Sequence, residues 1–223
     1  MENQTADIEW KENGVPVSTK FDDPYFSLED GVAETRHVFL QGNDLPRRFR
    51  DGFRIGELGF GTGLNLLVVW DAWVQSGQRG TLSFTSFEAY PMSREDMAQA
   101  HQTFPDFDGR RDALLNAWRP EGGEMSFPGL EVNVIIGDAR QTVPRWHGLA
   151  DAWFLDGFSP AKNPELWEPD LLHDIYRHTG PFGTAATYTA AGAVRRALEA
   201  AGFAVQRTQG YGRKRHMTQA VRT

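Results

Sequence analysis

Glu57-Leu58-Gly59-Phe60-Gly61-Thr62-Gly63 sets a carboxylate two residues ahead of three alternating glycines. The apolar run from Phe53 to Leu58 reads as a strand and Leu64 to Gln75 as a helix, so the glycines lie in a strand-to-helix turn. Glycines there permit a tight turn and close approach of a ligand to the backbone. The helix start beyond them offers unpaired N–H groups. Such turns also use glycine for purely structural reasons, so the loop gains meaning from what lies in register with it. Glu88 closes the next apolar run, 25 positions past Gly63. An acid there can accept hydrogen bonds from ribose hydroxyls. Gly137-Asp138-Ala139 follows a third, β-branched run, and its Asp can accept from an exocyclic amine of adenine. Three successive strand ends then face one crevice, which is where open α/β sheets bind ligands.

A fourth apolar run, Asp151 to Leu155, ends in Asp156-Gly157-Phe158-Ser159-Pro160-Ala161-Lys162-Asn163-Pro164-Glu165-Leu166-Trp167. Asp156 either caps the following turn or orients and deprotonates an amine. A protonated alkylamine has no lone pair, so a carboxylate within hydrogen-bond reach would both hold it and take its proton. Phe158 and Trp167 either stack on a base or pack in the core, with core the better reading of Trp167.

The order Glu57-x-Gly59-x-Gly61-x-Gly63 resembles the first motif of class I methyltransferases more than the Gly-x-Gly-x-x-Gly of dehydrogenases. That resemblance implies S-adenosyl-L-methionine as cofactor, with Glu57 on its methionyl amino group. The implied cofactor set is Glu57, Gly59, Phe60, Gly61, Thr62, Gly63, Glu88, Asp138, Ala139 and Asp156. No Gly-Lys-Ser/Thr follows the loop, which argues against a Walker-type phosphate site.

Longer motifs carry a narrower resemblance. Asp156 to Pro164, Phe21-Asp22-Asp23-Pro24-Tyr25-Phe26-Ser27, Glu34 to Leu40 and Gly210-Tyr211-Gly212-Arg213-Lys214-Arg215 are similar to the methyltransferase half of the bacterial bifunctional enzymes that build 5-methylaminomethyl-2-thiouridine at the tRNA wobble position. The similarity runs from about Ile8 to Val221. It implies methyl transfer to the amine of 5-aminomethyl(-2-thio)uridine, with tRNA as partner and Asp156 as the catalytic residue. It implies substrate contacts from Asp22, Asp23, Tyr25, Phe26, Phe158, Lys162 and Asn163, and from Tyr211, Arg213, Lys214 and Arg215 on tRNA phosphates and a loop base. For Asp22, Asp23, Tyr25 and Phe26 a structural turn is an equal alternative. His216 departs from the acid expected there. The FAD-dependent oxidase half has no room in 223 residues. A standalone methyltransferase, or an excised domain, is therefore expected, linked functionally to a separate oxidase or to the enzymes that install the aminomethyl group.

These residues need a frame. The chain alternates short apolar runs with helical stretches, which indicates α/β with a mostly parallel sheet. Further strands are read at Thr184 to Thr189, Phe203 to Thr208 and Met217 to Val221, the last two as a C-terminal antiparallel hairpin. Helices are read at Ser93 to His101, Pro169 to His178 and Ala193 to Ala201, with Gly202 as a left-handed C-cap. The expectation is a class I Rossmann-like methyltransferase fold with a seven-stranded sheet. Residues 1–50 form a small N-terminal extension, with a hairpin (Ile8 to Trp10, Val17 to Phe21) and a short helix near Gly31 to Leu40, packed on a core of residues 51–223.

Composition narrows the class. Hydrophobic residues make up 40% and charged residues 24%, and no apolar run reaches membrane-span length. The polar start shows no signal-peptide pattern, and a cytoplasmic protein without membrane contact is expected. With no cysteine there is no disulfide, iron–sulfur cluster or thiolate zinc site. The six histidines show no metal spacing, so no catalytic metal is expected, and without the oxidase half no FAD is expected either. Ser159 lacks a Gly-x-Ser-x-Gly elbow, which removes support for a hydrolase. Net charge is −7, yet Ala191 to Thr223 carries seven basic residues and one acid. That asymmetry suits a polyanion-facing patch or a solvated basic end. A methyltransferase of small-molecule or protein amines, and a non-catalytic nucleotide-binding module, are the competing readings.

Overall fold

The computed structural model describes residues 5–27, 30–105 and 107–223; parts of the proposed N-terminal extension (1–4, 28 and 29) lie outside the described residues. The extension contributes β1 (Ile8–Trp10), β2 (Pro16–Ser18), β3 (Asp23–Pro24) and α1 (Gly31–Thr35). The first three form a small antiparallel sheet in the order β1-β2-β3. The core follows with β4 (Arg54–Leu58), α2 (Leu64–Gln75), β5 (Leu82–Glu88), α3 (Arg94–His101), α4 (Arg110–Ala117), β6 (Gly123–Phe127), β7 (Leu130–Ile136) and α5 (Ala139–Thr142). It closes with β8 (Ala150–Leu155), α6 (Pro169–Arg177), β9 (Thr179–Thr187), α7 (Gly192–Ala201), β10 (Ala204–Gln209) and β11 (His216–Val221).

The main sheet runs β10-β11-β9-β8-β4-β5-β7-β6. The five central strands are parallel, and β6, β11 and β10 add antiparallel edges. The chain starts at β4, works outward through β5 and β7, then returns to β8 on the other side of β4. A crevice opens where the direction reverses, above the C-terminal ends of β4 and β8. This is the Rossmann-like arrangement expected of a class I methyltransferase, with one strand more than the seven anticipated. The extra strand is β6, paired with β7 through a two-residue Pro128-Gly129 turn in which Gly129 has φ +72°. Only Met125 of β6 is buried, so the strand leaves no alternating pattern. The Pro-Gly pair was its legible signal.

The segment read as one helix near Gly31 to Leu40 is a short α-helix followed by a wider π turn over Arg36–Leu40. β9 begins earlier than expected, at Thr179, because Ala150 pairs with Thr179 before an irregularity in the β8–β9 register. The hairpin's second strand was read as reaching Phe21, but β2 stops at Ser18 and the chain turns into β3.

α2 shows why the extension matters. Leu64 through Asp71 and Trp73 are all buried, so this helix is covered on more than one side. The sheet covers one side and the extension another. Val38, Phe39 and Leu40 join the same apolar cluster as Leu66, Leu67 and Val69, and the Phe39 ring stacks on Phe154 of β8 at 5.1 Å. Phe49 packs edge-on against Trp73 at 5.3 Å. The opposite sheet face is covered by α6 and α7 through Leu171, Leu172, Ile175, Val194 and Leu198. Among the described residues no helix is long and apolar enough to cross a membrane.

Phe39→Ala tests whether the extension shares the core. Removing a buried phenyl ring should cost about 3–5 kcal/mol while denaturant unfolding stays a single transition. A separate early transition for the extension would contradict a shared core.

Candidate active site

The crevice is a cavity of about 560 Å³ bounded by the loops after β4, β5, β7 and β8, by α1 and by the segment around β3. The turn after β4 sets its floor. Gly59 has φ +83°, and a Cβ placed on it would lie 2.3 Å from the Asp156 carbonyl oxygen. Only glycine lets the ends of β4 and β8 come this close. Gly61 has φ +53°, and its backbone N–H donates to Glu88 Oε2 at 2.9 Å. The Tyr90 N–H donates to Oε1 of the same carboxylate at 2.7 Å. Glu88 thus ties the glycine loop to the end of β5 while lining the cavity. Burial raises its pKa, against the pull of these backbone donors.

Asp156 lines the cavity at the end of β8. Its Oδ2 accepts from Asn65 Nδ2 at 2.7 Å. The second Nδ2 hydrogen goes to Glu57 Oε1 at 2.9 Å, and Asn65 Oδ1 accepts from the Thr35 hydroxyl at 3.0 Å. Glu57 Oε2 pairs with the Ser86 hydroxyl at 2.6 Å. Every polar atom of the Asn65 amide is therefore committed, which locks its rotamer. Burial pushes the Asp156 carboxyl up to about 7, and the charge of Glu34 adds to this; Asn65 and Lys214 pull it partly back. Glu57 is pushed by burial up to about 8. Asp151, at the other end of the same strand, meets the opposite fate: Arg50 and Arg54 bond its carboxylate and hold it below the usual range despite burial.

The structure brings most of the sequence-identified residues to this cavity. Gly59, Phe60, Gly61, Thr62, Glu88, Asp138, Ala139 and Asp156 line it, as do Asp23, Tyr25, Phe26, Phe158, Asn163 and Lys214. Phe158 belongs to an aromatic wall, stacked on Phe21 at 4.9 Å and edge-on to Tyr25 at 5.0 Å. Trp167 is a core residue, its indole N–H donating to the Phe158 carbonyl. Asp138 caps α5 by accepting from the Arg140 N–H at 2.9 Å and pairs with the Arg140 guanidinium.

Other residues fall elsewhere. Gly63 starts α2 outside the cavity lining, and Glu57, 1% exposed, lies behind the wall and reaches it only through Asn65. Asp22 and Lys162 pair with each other at 3.1 Å on the surface, outside the cavity lining, where they pin the loop after β8 to the turn before β3. Arg213, Lys214 and Arg215 are all exposed on the loop between β10 and β11; Lys214 also reaches the cavity lining, whereas the two arginines do not. Tyr211 tilts against His37 at 5.9 Å. Sequence reasoning missed Asn65, Glu34 and Tyr188. Asn65 was legible as a polar residue one position into a helix whose next residues, Leu66 through Trp70, are all apolar.

Residues 110–223 match the family model described as S-adenosyl-L-methionine-dependent methyltransferase. The tRNA 5-methylaminomethyl-2-thiouridine biosynthesis bifunctional protein MnmC of Aeromonas hydrophila is 45% identical over 95% of this chain and 34% of its own length. The protein of that name from Stutzerimonas stutzeri is 44% identical over 96% of this chain and 34% of its own. This chain thus spans about a third of the length of these curated relatives. The crystal structure of MnmC2 from Aquifex aeolicus superposes with a TM-score of 0.79 at 28% identity, covering 98% of this chain and 71% of that one. Spermidine synthase from Thermotoga maritima, at 10% identity and a TM-score of 0.57 over 99% of this chain and 73% of its own, shares the fold.

The amide bridge makes a direct prediction. A carboxyl-carbon NMR titration should place the Asp156 midpoint near 7. In Asn65→Leu the ionised form loses its donor, so the midpoint should move alkaline. An unmoved midpoint would show that the bond does not govern Asp156.

Proposed function

The chain belongs to the S-adenosyl-L-methionine-dependent methyltransferase family, and from that premise we propose that it methylates the primary amine of 5-aminomethyl(-2-thio)uridine at the wobble position of tRNA. The observation that carries this reading is Asp156: a half-buried carboxylate, locked by Asn65, facing a cavity walled by Phe21, Tyr25 and Phe158. The names of the relatives support the choice of acceptor. A cytoplasmic location and a functional link to an aminomethyl-supplying oxidase belong to the same proposal.

The cavity suits the family's cofactor. Acceptor carboxylates stand at the ends of β5 and β7, matching ribose hydroxyls and an adenine amine. Backbone N–H groups of the glycine loop and the aromatic wall complete a site for a nucleoside bearing a positive charge. When bound, S-adenosyl-L-methionine supplies a methyl group already activated on a sulfonium. Glu88 would hold the ribose, Asp138 and Ala139 the adenine edge, and the turn of Gly59, Phe60, Gly61 and Thr62 the cofactor's central part.

The remaining work is orientation and proton removal. The acceptor amine arrives as an ammonium, with the ordinary pKa of an alkylamine near ~10. Asp156 holds it by a charge-assisted hydrogen bond and accepts a proton, freeing the lone pair for in-line attack. The pKa near 7 makes Asp156 a stronger base than an ordinary aspartate while leaving it mostly ionised just above neutrality. Its proton then leaves to water. Phe158 and Tyr25 would stack on the uracil ring, and the exposed Arg213 and Arg215 would meet anticodon-loop phosphates.

The decisive assay is methyl transfer from labelled S-adenosyl-L-methionine to tRNA from cells lacking this activity, followed by nucleoside analysis. Label should appear in 5-methylaminomethyluridine nucleosides; none in tRNA, with cofactor binding intact, would move the acceptor to another amine. Asp156→Asn should lower turnover roughly 100-fold or more with cofactor affinity preserved. Glu88→Ala should mainly weaken the cofactor, measured by calorimetry. In the wild type, kcat/KM should rise as pH climbs through about 7, because the base works only when ionised. A flat acid limb would sink the general-base role.

A further inference from the structure

One inward-facing cation in the cavity has no part in this mechanism. Lys214 reaches in from the loop between β10 and β11, and its Nζ lies 2.8 Å from Glu34 Oε1 of α1. The same ammonium sits over the face of Tyr188, 4.1 Å from the ring centroid. The Tyr188 ring is held in place: its hydroxyl donates to the Gly157 carbonyl at 2.7 Å, one residue past Asp156, and its ring packs edge-on to Trp167 at 6.4 Å. Glu34, Tyr188, Lys214 and Asp156 all line the one cavity. Glu34 is well covered, its side chain 13% exposed, whereas Lys214 is 47% exposed. An aromatic face with carboxylates beside it is the chemistry that selects an alkylammonium.

The acceptor proposed above is itself a primary alkylammonium when it arrives. We propose that Glu34 and Tyr188 form the subsite that receives the acceptor's ammonium, and that Lys214 occupies this subsite until the substrate displaces it. The inference rests on the aminomethyl reading of the acceptor. It adds the residues that discriminate a charged amine from a neutral group of similar size, such as a hydroxymethyl, and a resident competitor. Displacement is inexpensive, because a half-exposed lysine pair contributes little net stability. The freed ammonium swings toward Arg213 and Arg215 on the same loop, where a polyanion would hold it. Substrate entry and closure of the basic loop on phosphate thus become one event. Asp156, in the wall of the same cavity, then accepts the proton.

The test uses the whole chain saturated with S-adenosylhomocysteine, titrated calorimetrically with 5-aminomethyluridine and with 5-hydroxymethyluridine. The aminomethyl nucleoside should bind and the hydroxymethyl one should not compete. Glu34→Gln should weaken binding about 10-fold or more, the usual scale of a lost bond to a charged group. Lys214→Met should tighten it several-fold by removing the competitor, with S-adenosylhomocysteine affinity unchanged in both variants. Weakening in both variants would overturn the proposal, since the pair would then be a latch that merely orders the loop. A second measurement separates this inference from the tRNA reading: butylammonium chloride is titrated while NMR follows the terminal methylene of Lys214. If butylammonium displaces Lys214 in the wild type but not in Glu34→Gln, the subsite stands even where no uridine is methylated. No displacement in the wild type would overturn it independently of the natural acceptor.

Discussion

The carboxylate of Asp156 at the cavity wall is fixed by one amide. Asn65 bonds Asp156 at the cavity wall and Glu57 behind it, and Thr35 fixes the amide from the far side. Remove the amide and the buried Glu57 and half-buried Asp156 face each other without a donor between them, an arrangement that poorly solvated polar groups do not tolerate cheaply. This bridge links four parts of the chain: the end of β4, the first turn of α2, α1 of the extension and the end of β8.

The surrounding fold holds that bridge in register. α2 carries Asn65 in a helix buried nearly throughout, which requires cover beyond the sheet. Phe39 against Phe154 and Phe49 against Trp73 supply it from the extension. The close approach of β4 to β8, possible only with Gly59, sets the distance that the amide spans. Two aspartates at opposite ends of β8, Asp151 within it and Asp156 just after it, then illustrate how environment sets the charge of identical side chains. Asp151, among arginines, is held ionised as a structural anchor. Asp156, lining the cavity beside a single amide, is instead pushed up by burial to about 7.

The N-terminal segment therefore lines the cavity as well as packing on the core. Its β3 and the residues beside it supply Phe21, Asp23, Tyr25 and Phe26 to the cavity, and α1 supplies Glu34. Asp23 Oδ2 accepts from the Ser159 N–H at 2.8 Å, and Lys162 pairs with Asp22 and Asp23. The loop after β8 is thus held by the extension that also lines the cavity.

Much of this was legible in the residues themselves. Alternating apolar runs and glycine turns specify a doubly wound sheet, because period and turn chemistry are local properties. The acids after three strands, Glu88, Asp138 and Asp156, could be placed on one crevice, since a parallel sheet puts all such ends on one side. β6 escaped because one buried residue makes no pattern. The roles of Glu57, Lys214, Asn65, Glu34 and Tyr188 were decided only by tertiary structure. Whether a carboxylate faces a cavity or stands behind it, and whether a lysine points to solvent or inward, depends on side chains brought from distant segments. Sequence determines which groups are available and on which element; burial and partners, which set their charge and chemistry, exist only once the chain has closed around them.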